Sequence, residues 1–164
     1  MRAVKYGIRL DKDRLPYLVK EMSHNYKGRN ACSPDRIIEI LREIEEADSL
    51  VQEKFWMFCL DSGMKIIGYF ELFAGSRDRC LVDRAHLYTC ALSTGASHIV
   101  VAHNHPSGDP SPSKEDILLT ESIAKGAALI GIALQDHLVL GCRCYASLRE
   151  FHPDLFRQEG QTAQ

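Results

Sequence analysis

Two histidines and one aspartate near the middle of the chain have the residue types and the spacing of a metal site. His103 and His105 stand two residues apart at the end of an apolar run, and Asp116 opens a segment with helical periodicity. Side chains at positions i and i+2 of a strand point to the same side, so both imidazoles can reach one ion. Two imidazoles and a carboxylate suit zinc, and three protein ligands leave a fourth position for water. The pattern therefore predicts a catalytic zinc site.

The chemistry that such a site would perform is hydrolysis. Zinc lowers the pKa of its bound water to about 7, which supplies hydroxide at neutral pH. A nearby carboxylate can accept the water proton and pass it to the leaving group. Ser113 can donate a hydrogen bond to the oxyanion that forms when a carbonyl is attacked. Ser113-x-x-Asp116 is also nearly a helix capping box, so a purely structural helix start is the alternative.

The carboxylate chosen as the general base lies on an earlier strand. Glu71 is the only acidic residue of the apolar segment 65–73, and a lone buried carboxylate is costly without a partner. Period-two alternation predicts that Tyr69, Glu71 and Phe73 share one face of that strand. An exposed position at a sheet edge is the alternative to a function in the site.

Short strands and helices must position these residues. Apolar runs and alternation predict strands at 3–10, 54–60, 65–73, 99–102, 132–140 and 143–145. Helical periodicity predicts helices at 15–22, 33–47, 81–92, 113–129 and 147–150. This mixture of strands and helices indicates an α/β or α+β fold.

Length and composition fit one domain of an ordinary water-soluble protein. The 164 residues are 45% hydrophobic and 26% charged, and the net charge of -2 lacks the basic excess of an obligate nucleic-acid binder. No apolar run approaches the roughly 20 residues that span a bilayer. Charges interrupt the N-terminus too often for a signal peptide, so we expect a cytoplasmic protein. Residues 1–30 carry eight basic and three acidic residues, which suits a partner surface or a solvated arm.

Six cysteines are further ligand-type residues. Four lie far apart in sequence: Cys32, Cys59, Cys80 and Cys90. We expect these to be small buried thiols, because disulfides are rare in a reducing cytoplasm. Cys142-x-Cys144 is the one close pair, and its spacing is not that of a zinc knuckle. We interpret both as strand residues, with a second metal site as the alternative.

The spacing of the metal-site residues resembles a known motif. His103-x-His105-Pro106, followed by Ser113 and Asp116, reproduces the pattern of the JAMM (JAB1/MPN/Mov34) metalloenzymes. The wider string HNHPSGDPSPSKED is similar to the RadC-type branch of that family. Three other segments resemble signatures of the branch: Phe73-x-Gly75-Ser76, Asp136-His137 and Tyr145-x-Ser147-Leu148. The resemblance covers about residues 55–150.

The resemblance implies a fold, a ligand set and a reaction. The fold is the three-layer JAB1/MPN architecture, similar to that of cytidine deaminase, with a curved mixed sheet between helices. The ligands of a zinc ion would be His103, His105 and Asp116. Ser113 would stabilise the oxyanion, and an upstream glutamate, for which we choose Glu71, would serve as acid and base.

The resemblance also bears on the substrate. JAMM enzymes cleave peptide or isopeptide bonds, often beside ubiquitin-like modifiers, so we expect a protein or peptide substrate, including a modifier-linked one. We expect an N-terminal arm and helix packed on the core (1–50), a catalytic domain (51–152) and a flexible tail (153–164). Two alternatives stay open, namely a RadC-type DNA-repair protein or metal-dependent nuclease that binds nucleic acid, and a binding module whose metal site is idle.

Several residues depart from the RadC-type pattern or have two interpretations. Residues 1–50 lack the pair of glycine-containing hairpins of a helix-hairpin-helix DNA-binding segment, and 82–85 lack a proline that the branch often carries. The letters His-Asn-His are not the HNH nuclease motif, whose residues are spread over a longer ββα-metal unit. His137, beside Asp136, is either a structural histidine or a residue supported by a carboxylate behind the metal site.

Overall fold

Seven strands of the described residues form one mixed sheet. The structure, a computed structural model, describes residues 2–25, 32–74 and 82–157. The strands are β1 (Arg2–Leu10), β2 (Pro16–Asn25), β3 (Lys54–Leu60), β4 (Ile66–Ala74), β5 (His98–Asn104), β6 (Ala133–Gly141) and β7 (Cys144–Ser147). Their spatial order is β2-β1-β4-β3-β5-β6-β7. The pairs β1–β4 and β5–β6 are parallel, and the other pairs are antiparallel.

Helices cover both faces of this sheet. They are α1 (Pro34–Ile44), α2 (Arg84–Ser93), α3 (Lys114–Leu129) and α4 (Leu148–Phe151), with short 3-10 helices at Ala47–Ser49 and Pro153–Phe156. The apolar side of α1 packs on one face of the sheet, and α2 and α3 pack on the other. The predicted mixed α/β fold, with a sheet between helices in three layers, is confirmed. In the described part of the chain, no helix combines the length and the apolar character that crossing a membrane requires.

Strand β3 lies at the centre and feeds both cores. Its residues alternate strictly, because successive side chains of a strand point to opposite faces. Trp56 and Phe58 enter the core beneath α1, whereas Phe55 and Met57 enter the core beneath α2 and α3. Both sides of β3 are therefore apolar, which explains the unbroken hydrophobic run in its sequence.

The segment 15–22, predicted as a helix, is instead the edge strand β2. It pairs with β1 in an antiparallel hairpin. The turn between them is held by Asp11, whose side chain accepts hydrogen bonds from the backbone N–H groups of Asp13 and Leu15. Pairing with β1 outweighs a weak local helical pattern, and residues 2–25 consequently extend the sheet instead of forming a solvated arm.

Smaller differences concern the ends of elements. Helix α2 begins at Arg84, three residues later than predicted, because the Asp83 side chain caps it by accepting from the backbone N–H groups of Ala85 and His86. Phe156, placed in the predicted flexible tail, packs against the core beneath α2 and α3. Gly75 and Ser76 of the Phe73-x-Gly75-Ser76 segment, Cys80, and the tail residues 158–164 lie outside the described residues. The proposed domain boundaries remain a prediction.

Candidate metal centre

The end of β5 and the start of α3 bring the two histidines and the aspartate together. His103 is the sixth residue of β5, and His105 follows the strand with its backbone N–H still bonded to the Leu140 carbonyl. The connecting loop lies tightly on the β6–β7 turn. A Cβ atom at Gly141 would stand 2.4 Å from the Gly108 carbonyl oxygen, so only glycine permits this approach. Helix α3 then delivers Asp116 in its first turn.

The three side chains have the separations of ligands around one ion. His103 Nε2 lies 3.0 Å from His105 Nε2 and 3.2 Å from Asp116 Oδ1, and His105 Nε2 lies 3.6 Å from Asp116 Oδ2. Ligand atoms about 2.1 Å from a tetrahedral zinc lie about 3.4 Å from one another. The donor set and its spacing therefore fit a zinc ion, and this group could hold a metal.

The pKa values of His103 and Asp116 favour metal binding, whereas that of His105 is shifted in the opposite direction. Burial lowers the pKa of His103 to about 4, against the opposing charge of Asp116. Burial alone would raise the pKa of Asp116, but hydrogen bonds from His105 and Ser113 and the charge of His103 outweigh it and hold that pKa far below its usual value. The hydrogen bond to Asp116 raises the pKa of His105. A neutral His103 and an ionised Asp116 are the forms that a metal requires.

Ser113 forms a complete capping box with Asp116. The Ser113 hydroxyl accepts from the Asp116 backbone N–H at 3.1 Å, and Asp116 Oδ2 accepts from the Ser113 backbone N–H at 2.7 Å. The same hydroxyl donates to Asp116 Oδ2 at 2.6 Å. The alternative prediction, that Ser113 and Asp116 form a helix capping box, is therefore confirmed. The oxyanion function of Ser113 stays a prediction.

A family comparison accounts for most of the chain. The family model described as "RadC-like JAB domain" matches residues 31–153. The chain belongs to the RadC-like JAB domain family. This confirms the resemblance drawn from His103, His105, Ser113 and Asp116.

Relatives of this RadC-like JAB domain are UPF0758 proteins. One from Thermotoga maritima is 37% identical over 116 residues, covering 71% of this chain and 52% of the relative. One from Methanosarcina barkeri is 34% identical over 122 residues, covering 74% and 52%. One from Halalkalibacterium halodurans is 32% identical over 149 residues, covering 91% and 62%. The chain therefore spans 52 to 62% of the lengths of these relatives.

Glu71 lies on the face of the sheet opposite the metal centre of this RadC-like JAB domain. It pairs across β3–β4 with Trp56, which packs beneath α1, whereas His103 pairs with Phe55 on the other face. Its carboxylate accepts from Lys5 at 2.8 Å and from Lys54 at 3.1 Å. The geometry gives no support to the predicted base function of Glu71 and makes this residue part of a partly buried charge network.

A β-bulge explains why alternation misled the sequence interpretation of this strand. Phe55 opposes Phe73, but the next residue, Trp56, opposes Glu71, so Leu72 is left without a partner in β3 and the register shifts by one residue. Phe73 consequently packs beneath α2 and α3, on the face opposite Glu71. The prediction that Phe73 shares the face of Glu71 is wrong.

Glu53 is the carboxylate that the sequence interpretation missed. It directly precedes β3, and by alternation its side chain takes the same face as Phe55, the partner of His103. Its negative charge contributes to the raised pKa of His105. The available signal was its position two residues before Phe55, directly ahead of the strand that pairs with β5.

Asn104 fixes the backbone on both sides of Glu53. Its Oδ1 accepts from the Lys54 backbone N–H at 2.8 Å, and its Nδ2 donates to the Gln52 carbonyl at 3.1 Å. Asn104 is buried and stands between the two histidines in sequence. The residue between the two metal-site histidines thus holds the segment that carries the nearby carboxylate.

His137 belongs to the metal centre but not in the way that Asp136 suggested. The Asp136 carboxylate accepts from the His137 and Arg149 backbone N–H groups and from the Ser147 hydroxyl, and it makes no bond to the imidazole. The His137 ring instead lies 2.8 Å from His103 Nδ1 through its Nε2. Its sequence signal, a histidine in an apolar strand, did not indicate that partner.

The cysteines contribute no metal site within the described ranges. His103, His105 and Asp116 are the one group of three or more suitable ligands there. Cys59 and Cys90 are buried as expected, whereas Cys32 is only half-buried. Cys142 and Cys144 are exposed, and of these two predicted strand residues only Cys144 lies in a strand, at the start of β7. Burial raises the pKa of both buried thiols to about 12, so they stay protonated.

Proposed function

We propose that this RadC-like JAB domain is a zinc-dependent hydrolase of the JAMM type that cleaves a peptide or isopeptide bond. The observation that carries the proposal is the convergence of His103, His105 and Asp116 at tetrahedral ligand separations. His105 Nδ1 donates to the Asp109 carbonyl at 2.8 Å, which leaves the Nε2 lone pair directed at the shared position. A zinc ion held there would supply an acidified water and polarise the scissile carbonyl.

Glu53 is the proposed general base and acid. It accepts the proton of the attacking water and returns it to the leaving nitrogen, which balances the proton over the cycle. Two features support this assignment, namely the shared face with Phe55 and the influence of the Glu53 charge on the pKa of His105. Asn104 holds Glu53 in place from the adjacent strand.

Ser113 is the proposed oxyanion donor, as the JAMM resemblance implies. Its hydroxyl has one proton, which in the present arrangement goes to Asp116. Rotation of that hydroxyl would redirect the proton to a developing oxyanion while the capping bond from the Asp116 N–H persists. The backbone half of the capping box keeps Asp116 oriented throughout.

The substrate class is also part of the proposal. A protein or peptide, including one joined to a ubiquitin-like modifier, follows from the family resemblance. The nucleic-acid alternative receives no support from Lys5, whose charge is neutralised by Glu45 and Glu71. An idle binding module would retain the same ligand geometry, and a cytoplasmic location stays a prediction.

Hydrolysis of defined substrates tests the proposal. Purified protein, stripped with a chelator and then reloaded with zinc, is incubated with a peptide library and with isopeptide-linked modifier conjugates. We expect cleavage that requires zinc and disappears in His105→Ala. Zinc binding without any cleavage would favour the idle module, and zinc-dependent cleavage of DNA alone would favour the nuclease.

A further inference from the structure

A continuous chain of hydrogen bonds runs from helix α3 to the first metal-site histidine. The Thr120 hydroxyl lies 2.6 Å from the Asp116 carbonyl oxygen and 2.6 Å from His137 Nδ1. His137 Nε2 lies 2.8 Å from His103 Nδ1. Thr120 and His137 are fully buried and His103 is 1% exposed, so these groups satisfy one another away from solvent.

The Asp116 carbonyl determines which group donates and which accepts in every hydrogen bond of this series. A backbone carbonyl can only accept, so the single Thr120 proton goes to the Asp116 carbonyl. The Thr120 oxygen then accepts from His137 Nδ1–H. A neutral His137 consequently presents an unprotonated Nε2, which accepts from His103 Nδ1–H. The remaining His103 nitrogen, Nε2, carries a lone pair directed at His105 and Asp116.

We propose that Thr120 and His137 are positioning residues that fix the tautomer and the ring orientation of His103 for metal binding. This inference rests on the proposed function, since it assigns the support of one ligand in that centre. Neither residue touches the reacting atoms, and both act through His103. Polar groups behind a metal-binding histidine commonly set which ring nitrogen is free.

Reversing the donors and acceptors in this series shows which His103 tautomer is prevented by Thr120 and His137. If Thr120 donated to His137 Nδ1, then His137 Nε2–H would donate to His103 Nδ1. His103 would carry its proton on Nε2, the atom that faces the other two ligands, and could not bind a metal. The carbonyl that excludes this arrangement belongs to Asp116. Asp116 therefore supplies one metal ligand through its side chain and sets the tautomer of His103 through its backbone carbonyl.

The tautomer of His103 can be read directly in zinc-free protein. Imidazole ¹⁵N chemical shifts, correlated with the ring protons at neutral pH, distinguish a protonated from an unprotonated nitrogen. We expect His103 to be protonated on Nδ1 in the native protein and to populate both tautomers in Thr120→Val. A native His103 protonated on Nε2 would overturn the proposal.

Zinc affinity provides the second measurement. In competition with a chromophoric chelator, Thr120→Val, which replaces the hydroxyl by a methyl group of similar size, should weaken zinc binding about 10- to 100-fold. Thr120→Ser keeps the hydroxyl and should restore the affinity. An unchanged affinity in Thr120→Val, or an equal loss in Thr120→Ser, would contradict a function for the hydroxyl.

A matched control separates positioning from a general effect on helices. Thr89 in α2 donates to the Ala85 carbonyl at 2.8 Å, the same i to i−4 bond that Thr120 makes in α3. Thr89→Val should bind zinc as the native protein does, and a comparable loss there would overturn the proposal. If the native protein bound no zinc, the proposed function would fail, while the zinc-free NMR measurement would still decide the tautomer.

Discussion

Glu71 and His103 face opposite sides of the same sheet. Trp56, the cross-strand partner of Glu71, packs beneath α1, and Phe55, the partner of His103, packs beneath α2 and α3. Glu71, on the strand paired with β3, and Glu53, directly before β3, therefore serve different purposes. Glu71 stabilises the fold through Lys5 and Lys54, and Glu53 is the proposed base.

Glu71→Gln should lower stability and preserve zinc binding. The substitution removes the charge that accepts from two lysines, and we expect a loss of about 1–3 kcal/mol in the free energy of unfolding. Urea denaturation of both proteins, with zinc content measured in parallel, checks this. A normal stability combined with lost hydrolysis would restore Glu71 as the base.

The stabilisation by Glu71 should depend on pH. Burial alone would raise the pKa of Glu71, but the hydrogen bonds and charges of Lys5 and Lys54 outweigh it and lower that pKa below its ordinary value of 4.5. A lowered folded-state pKa stabilises the fold above the unfolded value, and the contribution is lost as the pH falls through the folded value. Unfolding curves of native protein and Glu71→Gln should converge at acid pH, and a constant difference would contradict this.

Glu53→Gln should abolish most hydrolysis and leave the metal in place. The amide cannot accept the water proton, so we expect kcat to fall about 10²- to 10⁴-fold. Zinc affinity should change little, because Glu53 is not one of the ligands. Glu121→Gln, which removes an exposed carboxylate paired with Lys125, is the matched control. Full activity in Glu53→Gln would require another base.

Asn104→Ala should impair hydrolysis by releasing the Glu53 segment. Both bonds from Asn104 to the neighbouring backbone are lost, and a displacement near 1 Å of a reacting group can cost about 100-fold in rate. Steady-state kinetics on zinc-loaded protein should show the loss in kcat. Unchanged kcat would mean that the segment needs no support from this side chain.

Gly141→Ala should disturb the loop between the two parts of the metal centre. The new methyl group would overlap the Gly108 carbonyl and Pro110, so the loop must move. We expect a loss of about 1–3 kcal/mol in stability together with weaker zinc binding. Gly63→Ala, whose Cβ would lie 3.3 Å from its nearest neighbour in a turn between β3 and β4, is the control. Equal zinc affinities in both variants would contradict the predicted loop displacement.

The sequence was sufficient to find the candidate ligands because their arrangement is local. A strand, a loop and a helix start fix the relative positions of His103, His105 and Asp116, and short-range patterns predict all three elements. Most strands and helices follow from periodicity for the same reason. The strand β2 does not, since it depends on pairing with β1.

The parts that sequence could not supply depend on register between distant segments. The bulge opposite Phe55 decides the face of Phe73, and the partners of Glu71 come from β1 and β3. The link between Thr120 and His137 joins a helix to a strand 17 residues away. No local pattern in either segment signals that contact.

The zinc content of the purified protein decides whether His103, His105 and Asp116 form a metal site. Purified protein is stripped of metal, incubated with zinc at neutral pH, dialysed and assayed by elemental analysis, alongside His103→Ala. We expect about one zinc per native chain, as a three-ligand site requires, and little in the variant. A native chain that retains no zinc after loading would contradict this expectation.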